Sequence, residues 1–105
     1  MTFEQERPRT SLTGHDVVDS EMTKVGRVTD VLSDERATPK WAVVKTGVFG
    51  GERFVPLDRT YLDTDGRLVV PLTKTDIKRA PRVRGDHVIT SDVQRELRDY
   101  YGRAA

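Results

Sequence analysis

Short apolar runs alternate with turn residues from Gly14 onward, and this spacing is typical of a β-sheet or barrel. The longest predicted strand lies in KVGRVTDVLSD, where Gly26 indicates a bulge or a close approach of another backbone segment. A short helix would also fit the apolar spacing there, but glycine and β-branched residues disfavour it. The run ERFVPLDR contains Pro56, which has no backbone N–H and therefore predicts an edge strand or a bulge.

The run PKWAVVKTG predicts a central strand, because its apolar residues fall on both faces. Trp41 and Val43 share one face of this strand. The other face carries Ala42, Val44 and Val48. A strand of this kind needs cover on both sides, from a curled sheet or from a partner.

A predicted hairpin in YLDTDGRLVVPL ends the β-rich part of the chain. Asp65-Gly66 supplies the positive φ angles that a tight hairpin turn needs. Thr73 is the predicted N-cap of a short helix, with Leu72 and Ile77 as its hydrophobic staple.

A second helix is predicted in SDVQRELRDYYG, where Ser91 and Gln94 form a capping box and Gly102 is placed for the C-terminal cap. Its apolar side chains fall on one helical face: Val93, Leu97, Tyr100 and Tyr101. Because so short a helix is marginal alone in water, this face must dock on another element.

Composition agrees with a single, mainly β domain. The chain has 105 residues, of which 35% are hydrophobic and 33% charged, with 14 Val against 7 Leu. It has no cysteine, which excludes disulfides and cysteine-held metals. No apolar run approaches the roughly 20 residues of a membrane span, and no signal-peptide pattern is present, so we expect a cytoplasmic protein without a membrane span.

Charge is unevenly distributed, although the net charge is only +1. Residues 74–84 hold five basic residues and one acidic residue. The candidate anion contacts in this segment are Lys78, Arg79, Arg82 and Arg84. A solvated linker face would produce the same pattern, and no aromatic residue lies between Tyr61 and Tyr100 to stack on bases.

The candidate chemical motifs are incomplete. The run DTDGRL lacks the acidic ends of a calcium loop, and the glycines around Phe49 lack the Lys-Ser/Thr of a phosphate loop. His15 and His87 have no metal-ligand spacing, although Asp16, Asp19 or Asp30 could orient one of them as a general base. We interpret Asp19, Asp30 and Asp34 as turn-closing residues. The expectation is therefore no catalytic, cofactor-binding or metal-binding residue, and no enzyme.

The order of several short motifs resembles the PRC-barrel family. They run G-H-D-V-V-D, K-V-G-R-V-T-D-V-L, P-K-W-A-V-V-K-T-G-V-F-G, R-F-V-P-L, D-G-R-L-V-V-P and I-K-R-A-P. The family is named for the cytoplasmic barrel of the photosynthetic reaction-centre H subunit. A similar barrel occurs in a ribosome maturation factor, and others stand alone in bacteria and archaea. The resemblance implies a small, mostly antiparallel β-barrel that serves as an adaptor surface, with no active site common to the family.

These observations predict a mobile arm at 1–11, a PRC-barrel-like domain at 12–83 and a C-terminal helical extension at 84–105. The expected function is a non-catalytic protein-interaction module, with self-association as one form of that interaction. The candidate partner contacts are Trp41, Phe49 and Phe54. At least one of the three should be in the core, and Phe49 either projects from its turn or folds back over the barrel mouth. The alternative is binding to RNA or a ribosomal particle through the basic segment.

Overall fold

The computed structural model describes residues 12–104 of the chain. The predicted mobile arm at 1–11 lies outside the described residues. Within them the strands and helices follow in the order β1 (Asp16–Val18), β2 (Lys24–Ser33), β3 (Pro39–Lys45), β4 (Glu52–Pro56), β5 (Tyr61–Leu62), β6 (Leu68–Val69), α1 (Lys74–Lys78) and α2 (Ser91–Ala104). The chain is therefore mainly β, with a helical end, as predicted.

The six strands form one sheet in the order β4-β3-β2-β1-β6-β5. All neighbours are antiparallel except β1 and β6, which are parallel. The two outer strands, β4 and β5, do not pair with each other, so the described residues form an open sheet and not the closed antiparallel barrel that we expected. The two-residue strand β5 offers few ladder hydrogen bonds with which to close it.

Gly26 allows two backbone segments to approach closely, as its position in the predicted strand indicated. A Cβ atom at Gly26 would lie 1.9 Å from the Lys45 carbonyl oxygen. The pairing of β1 with β2 also shifts register beside it, between Val17 and Val18. A glycine is therefore needed where β2 passes over the end of β3.

The central strand and the edge strand of the sheet are those that the sequence predicts. β3 lies between β2 and β4, and its residues 41–44 are all buried. β4, which contains Pro56, is an edge strand. The prediction was wrong for Val48, because β3 ends at Lys45 and the Val48 side chain projects from the following loop.

Valine is the commonest residue of the core and supplies nine of the 18 buried hydrophobic residues. Asp19 is a buried carboxylate that accepts hydrogen bonds from the backbone N–H groups of Glu21, Thr23 and Lys74. Burial raises the pKa of Asp19, but these three bonds outweigh it and hold the pKa below its usual value. Asp19 thus closes a turn, as predicted, and also ties the start of α1 to β1.

The predicted cap of α1 is confirmed, because the Thr73 hydroxyl accepts a hydrogen bond from the Asp76 N–H. The predicted caps of α2 are wrong. Thr90, not Ser91, accepts the N–H of Val93, so the cap lies one residue earlier. Gly102 lies inside the helix, which continues to Ala104. Neither α1 nor α2 is long and apolar enough to cross a membrane.

The apolar face of α2 packs against the core, with contacts to β3, β4 and α1. Leu97 and Tyr101 are buried, and Val93 and Tyr100 are partly buried against the core. The Tyr101 hydroxyl donates a 2.6 Å hydrogen bond to the carbonyl of Phe54. Burial raises the pKa of this hydroxyl well above its usual range.

Candidate interaction surface

The loop between β3 and β4, residues 46–51, has a closely constrained backbone. The Thr46 N–H and the Thr46 hydroxyl both donate hydrogen bonds to the carbonyl of Gly51, at 2.9 and 3.1 Å. A Cβ atom at Gly50 would lie 2.0 Å from the Thr46 carbonyl oxygen, so only glycine fits there. The loop is therefore folded tightly on itself, and its remaining side chains point outward.

Val48 and Phe49 form the apolar tip of this loop. Their side chains are 80% and 93% exposed, the highest values among the large exposed apolar residues of the described chain. Of the two alternatives for Phe49, the structure has the ring projecting into solvent. We call these two residues the hairpin tip.

The other two aromatic candidates are not surface contacts. Phe54 is 4% exposed because its side chain lies in the core, which corrects its assignment as a partner contact. Trp41 is 9% exposed, and its ring centroid lies 6.4 Å from that of Tyr101. Of the three predicted contacts, only Phe49 is highly exposed.

A groove with a volume of about 940 Å³ separates the far end of β3 and β4 from α2. Trp41 and Tyr101 line it together with Pro39, Pro56, Leu72 and Arg98. Trp41 can be reached only through this groove, since it is otherwise buried. The groove and the hairpin tip lie at opposite ends of β3.

Arg53 lies at the base of the hairpin and is 6% exposed. Its Nη1 donates to the carbonyl of Gly50 at 2.8 Å, and its Nη2 donates to the carbonyl of Lys78 at 2.9 Å. Within residues 12–104 its Nε finds no hydrogen-bond partner. Burial lowers the pKa of Arg53, and the charge of Arg82 lowers it further. Arg53 therefore joins the loop to α1 and brings a buried positive charge to the hairpin base.

The basic segment lies against this hairpin. Its four candidate anion contacts are all exposed, and among residues 12–104 none of them forms an ion pair: Lys78, Arg79, Arg82 and Arg84. The backbone of Arg82 forms an isolated β-bridge with Arg53. The guanidinium carbon of Arg82 and the Nη1 of Arg53 lie 3.6 and 3.3 Å from the point where a Cβ on Gly51 would stand. The fold thus places Arg82 beside the loop that carries Phe49.

His87 forms a second polar cluster at the hairpin base. Its Nδ1 lies 2.8 Å from Asp30 Oδ2, and its Nε2 lies 2.9 Å from Glu52 Oε1. Thr29 donates its hydroxyl to the other Glu52 oxygen at 2.8 Å. Only the doubly protonated imidazolium can donate to both carboxylates.

The charges of this cluster shift the pKa values of its members. The hydrogen bonds to Asp30 and Glu52 raise the pKa of His87 above its usual value. The same contact with His87 lowers the pKa of Glu52, with help from Thr29. Asp30 was interpreted as a turn-closing residue and is instead a partner of His87, which was one alternative for it. The cluster fastens the segment around His87 to β2 and β4.

The geometry of the His87 cluster suits a structural contact between chain segments better than a metal centre. Asp30 and Glu52 face opposite edges of the imidazole ring, so the three side chains do not converge on one point. Among residues 12–104 no group of three or more His, Cys, Asp or Glu side chains is arranged to hold a metal ion.

Sequence reasoning missed Arg53 and the partnership of His87 with Glu52. The signal for Arg53 was a charged residue directly before the apolar pair Phe54-Val55 of a predicted strand. No comparable signal exists for His87 and Glu52, which are 35 residues apart and meet only through the fold.

The fold and this surface define a small β module whose exposed features are a loop tip and a set of basic side chains without an ion pair among the described residues. The sequence model of the PRC-barrel domain matches residues 4–77, more than half of the chain. The chain therefore belongs to the PRC-barrel domain family, a general family often involved in interactions and with a β-barrel-like fold. The comparison with curated proteins found no match. The hairpin tip and Arg53 lie within the matched residues, whereas Arg82, His87 and α2 follow them.

Proposed function

We propose that the chain is a non-catalytic protein-interaction module and that the hairpin tip is its main contact with a partner. The observation that carries this proposal is Phe49, a large apolar side chain 93% exposed on a closely constrained loop. Burying such a side chain contributes about 1.5–3 kcal/mol. A loop already held in one conformation loses little entropy on binding.

Both faces of the hairpin base support the tip. On one side Arg53 joins the loop to α1 through the carbonyls of Gly50 and Lys78. On the other side Glu52 is held by His87 and Thr29. These contacts fix the direction in which the tip projects, which favours a specific partner.

Photo-crosslinking in the cell of origin tests this proposal. A photoreactive phenylalanine analogue placed at Phe49 is expected to give a discrete protein adduct. The same analogue at Thr64, an exposed residue in the loop of the other hairpin, is the matched control and should give none. Val48→Asp should abolish the adduct from position 49. Failure to find a protein adduct at 49, or identical adducts at 49 and 64, would contradict the proposal.

Self-association is the finer form of the same proposal. A second copy of the chain could bury the tip in a symmetric contact. Sedimentation of the purified protein should then reveal a dimer that Phe49→Asp dissociates. A strict monomer at high micromolar concentration would remove self-association and leave a different protein as the partner.

RNA binding is the second candidate, supported by the exposed basic residues beside the loop of Phe49, which form no ion pair with the part of the chain that the structure describes. This placement supplies the neighbouring aromatic that the sequence of the basic segment lacks. An affinity that falls steeply with salt is expected, together with its loss in Arg82→Glu plus Arg84→Glu. Absent or salt-independent RNA binding would remove this candidate.

A further inference from the structure

Arg53 and Arg82 present two positive charges at one point of the hairpin, and we call them the arginine pair. Atoms of both guanidinium groups lie within 4 Å of the point where a Cβ atom on Gly51 would stand. Gly51 has φ of +75°, and a side chain there would contact both groups. The fold therefore brings two like charges together, which is unfavourable unless an anion lies nearby.

Neither member of the arginine pair has a carboxylate partner within residues 12–104. Among residues 12–104 the Arg53 guanidinium donates its hydrogen bonds to backbone carbonyls, which carry only partial charge. A buried charge is costly when no opposite charge balances it. Because low-dielectric walls focus the field of a buried charge, the positive potential extends to the exposed Arg82.

The apolar tip lies next to this positive site along the chain. Phe49 and Gly51 are separated by one residue, and Val48 and Phe49 are both highly exposed. A ligand that covers the tip therefore passes close to Arg82. It meets an apolar contact and a guanidinium group within one short segment.

The surroundings favour a short acidic peptide over a nucleic acid. Val48 is aliphatic and cannot stack on a base, so the tip offers one aromatic ring. A carboxylate also matches the fork geometry of arginine and can accept two parallel hydrogen bonds.

We propose that the arginine pair and the hairpin tip form one binding site for a partner peptide that carries a carboxylate beside an apolar or aromatic side chain. The carboxylate binds Arg82, within the field of Arg53, and the apolar side chain packs on Val48 and Phe49. This inference rests on the proposed function, since it names the chemistry of the partner at the same surface.

Binding of model polymers to the full chain tests the site. The probes are a random glutamate–tyrosine copolymer, poly-glutamate and oligouridylate, each titrated at physiological salt. The copolymer is expected to bind most tightly and to shift the backbone NMR signals of residues 48–51 and 82. Arg82→Gln should weaken it about tenfold, the loss expected for one charged hydrogen-bonded contact.

The matched control is Arg36→Gln, which removes the same charge from the turn before β3, at the far end of that strand. Arg36 is exposed and has no ion pair among the described residues. It should change the affinity less than about twofold, as expected for a distant surface charge.

Several results would overturn the proposal. These are equal losses from Arg82→Gln and Arg36→Gln, binding of poly-glutamate as tight as the copolymer, tighter binding of oligouridylate, and no binding of any probe. A protein crosslink from Phe49 that persists unchanged in Arg82→Gln would overturn this inference while leaving the proposed function in place. Arg82 is exposed, so its replacement is not expected to affect folding.

Discussion

The two β-hairpins with glycine-containing loops differ in whether their charged side chains are paired with opposite charges. In the β5–β6 loop, Asp63 accepts the N–H groups of Asp65 and Arg67 and forms a 2.8 Å ion pair with Arg67. The β3–β4 loop has the exposed tip Val48–Phe49 and lies against the arginine pair, which has no carboxylate partner within residues 12–104. A loop that serves folding alone can satisfy its charges internally. The β3–β4 loop leaves apolar surface exposed beside these charges.

The largest expected difference between the hairpins is in the stability lost when a loop glycine is replaced by alanine. Gly50→Ala places a Cβ 2.0 Å from the Thr46 carbonyl oxygen and should lower the free energy of unfolding by about 2 kcal/mol. Gly66→Ala meets no atom closer than 3.8 Å, on His15, and should cost about 1 kcal/mol for its positive φ. Denaturant unfolding of both variants measures the difference. A larger loss from Gly66→Ala would contradict the tight closure of the β3–β4 loop.

Features that depend on neighbouring residues were predictable from the sequence. Gly26, Pro56 and Thr73 each restrict the backbone or supply a cap locally, and each has the predicted role. The cap of α2 was misplaced by one residue, because Thr90 and Ser91 are both good caps and local chemistry does not separate them. The parallel pairing of β1 with β6 depends on how the chain returns to the sheet, which no local signal specifies.

The candidate site was predicted only in part, because it too depends on long-range contacts that no local signal specifies. Phe49 could be singled out because glycines flank it, and the basic residues because they cluster in sequence. Their proximity could not be predicted. Gly51 and Arg82 are distant in sequence and are brought together by a single β-bridge between Arg53 and Arg82. Long-range contacts of this kind depend on the packing of α1 and β4.

A smaller effect on stability is expected from removing the internal ion pair of the β5–β6 loop. Asp63→Ala removes the acceptor for two backbone N–H groups and the partner of Arg67, so the thermal unfolding midpoint should fall. The backbone bond from Arg67 lowers the pKa of Asp63, so this stabilisation is present at neutral pH and is lost as the pH falls through the folded pKa. Asp58→Ala, at a highly exposed carboxylate, is the control and should leave the midpoint unchanged. Equal midpoints for the two variants would show that the loop does not depend on Asp63.

The two histidines sharpen the comparison through pH, because each contacts one of the hairpins. His87 bridges Asp30 and Glu52 at the base of β3–β4, whereas His15 contacts the Gly66 carbonyl of the other loop. Since the pKa of His87 is raised in the folded state, its stabilisation is complete below the unfolded pKa of about 6.5 and is lost as the pH rises through the higher folded value. We expect about 1 kcal/mol or less, given its partial exposure.

Unfolding measured on both sides of neutrality checks this expectation. His87→Gln should remove the extra stability on the acidic side, while His15→Gln should retain it. An NMR titration of the His87 ring should give a pKa above that of a free histidine. A pKa at or below that value would show that the two carboxylates do not hold the ring in its charged form.

The smallest effect on stability is expected at the hairpin tip itself. Phe49→Ala should change the free energy of unfolding by less than about 0.5 kcal/mol, because the ring is almost fully exposed. Tyr61→Ala, at an exposed aromatic of the β5–β6 hairpin, is the matched control for stability and for binding. Only Phe49→Ala should weaken binding of the glutamate–tyrosine copolymer. A stability loss above about 1 kcal/mol in Phe49→Ala would mean that the ring packs on its own chain, and the contrast between a self-contained hairpin and a binding hairpin would fail.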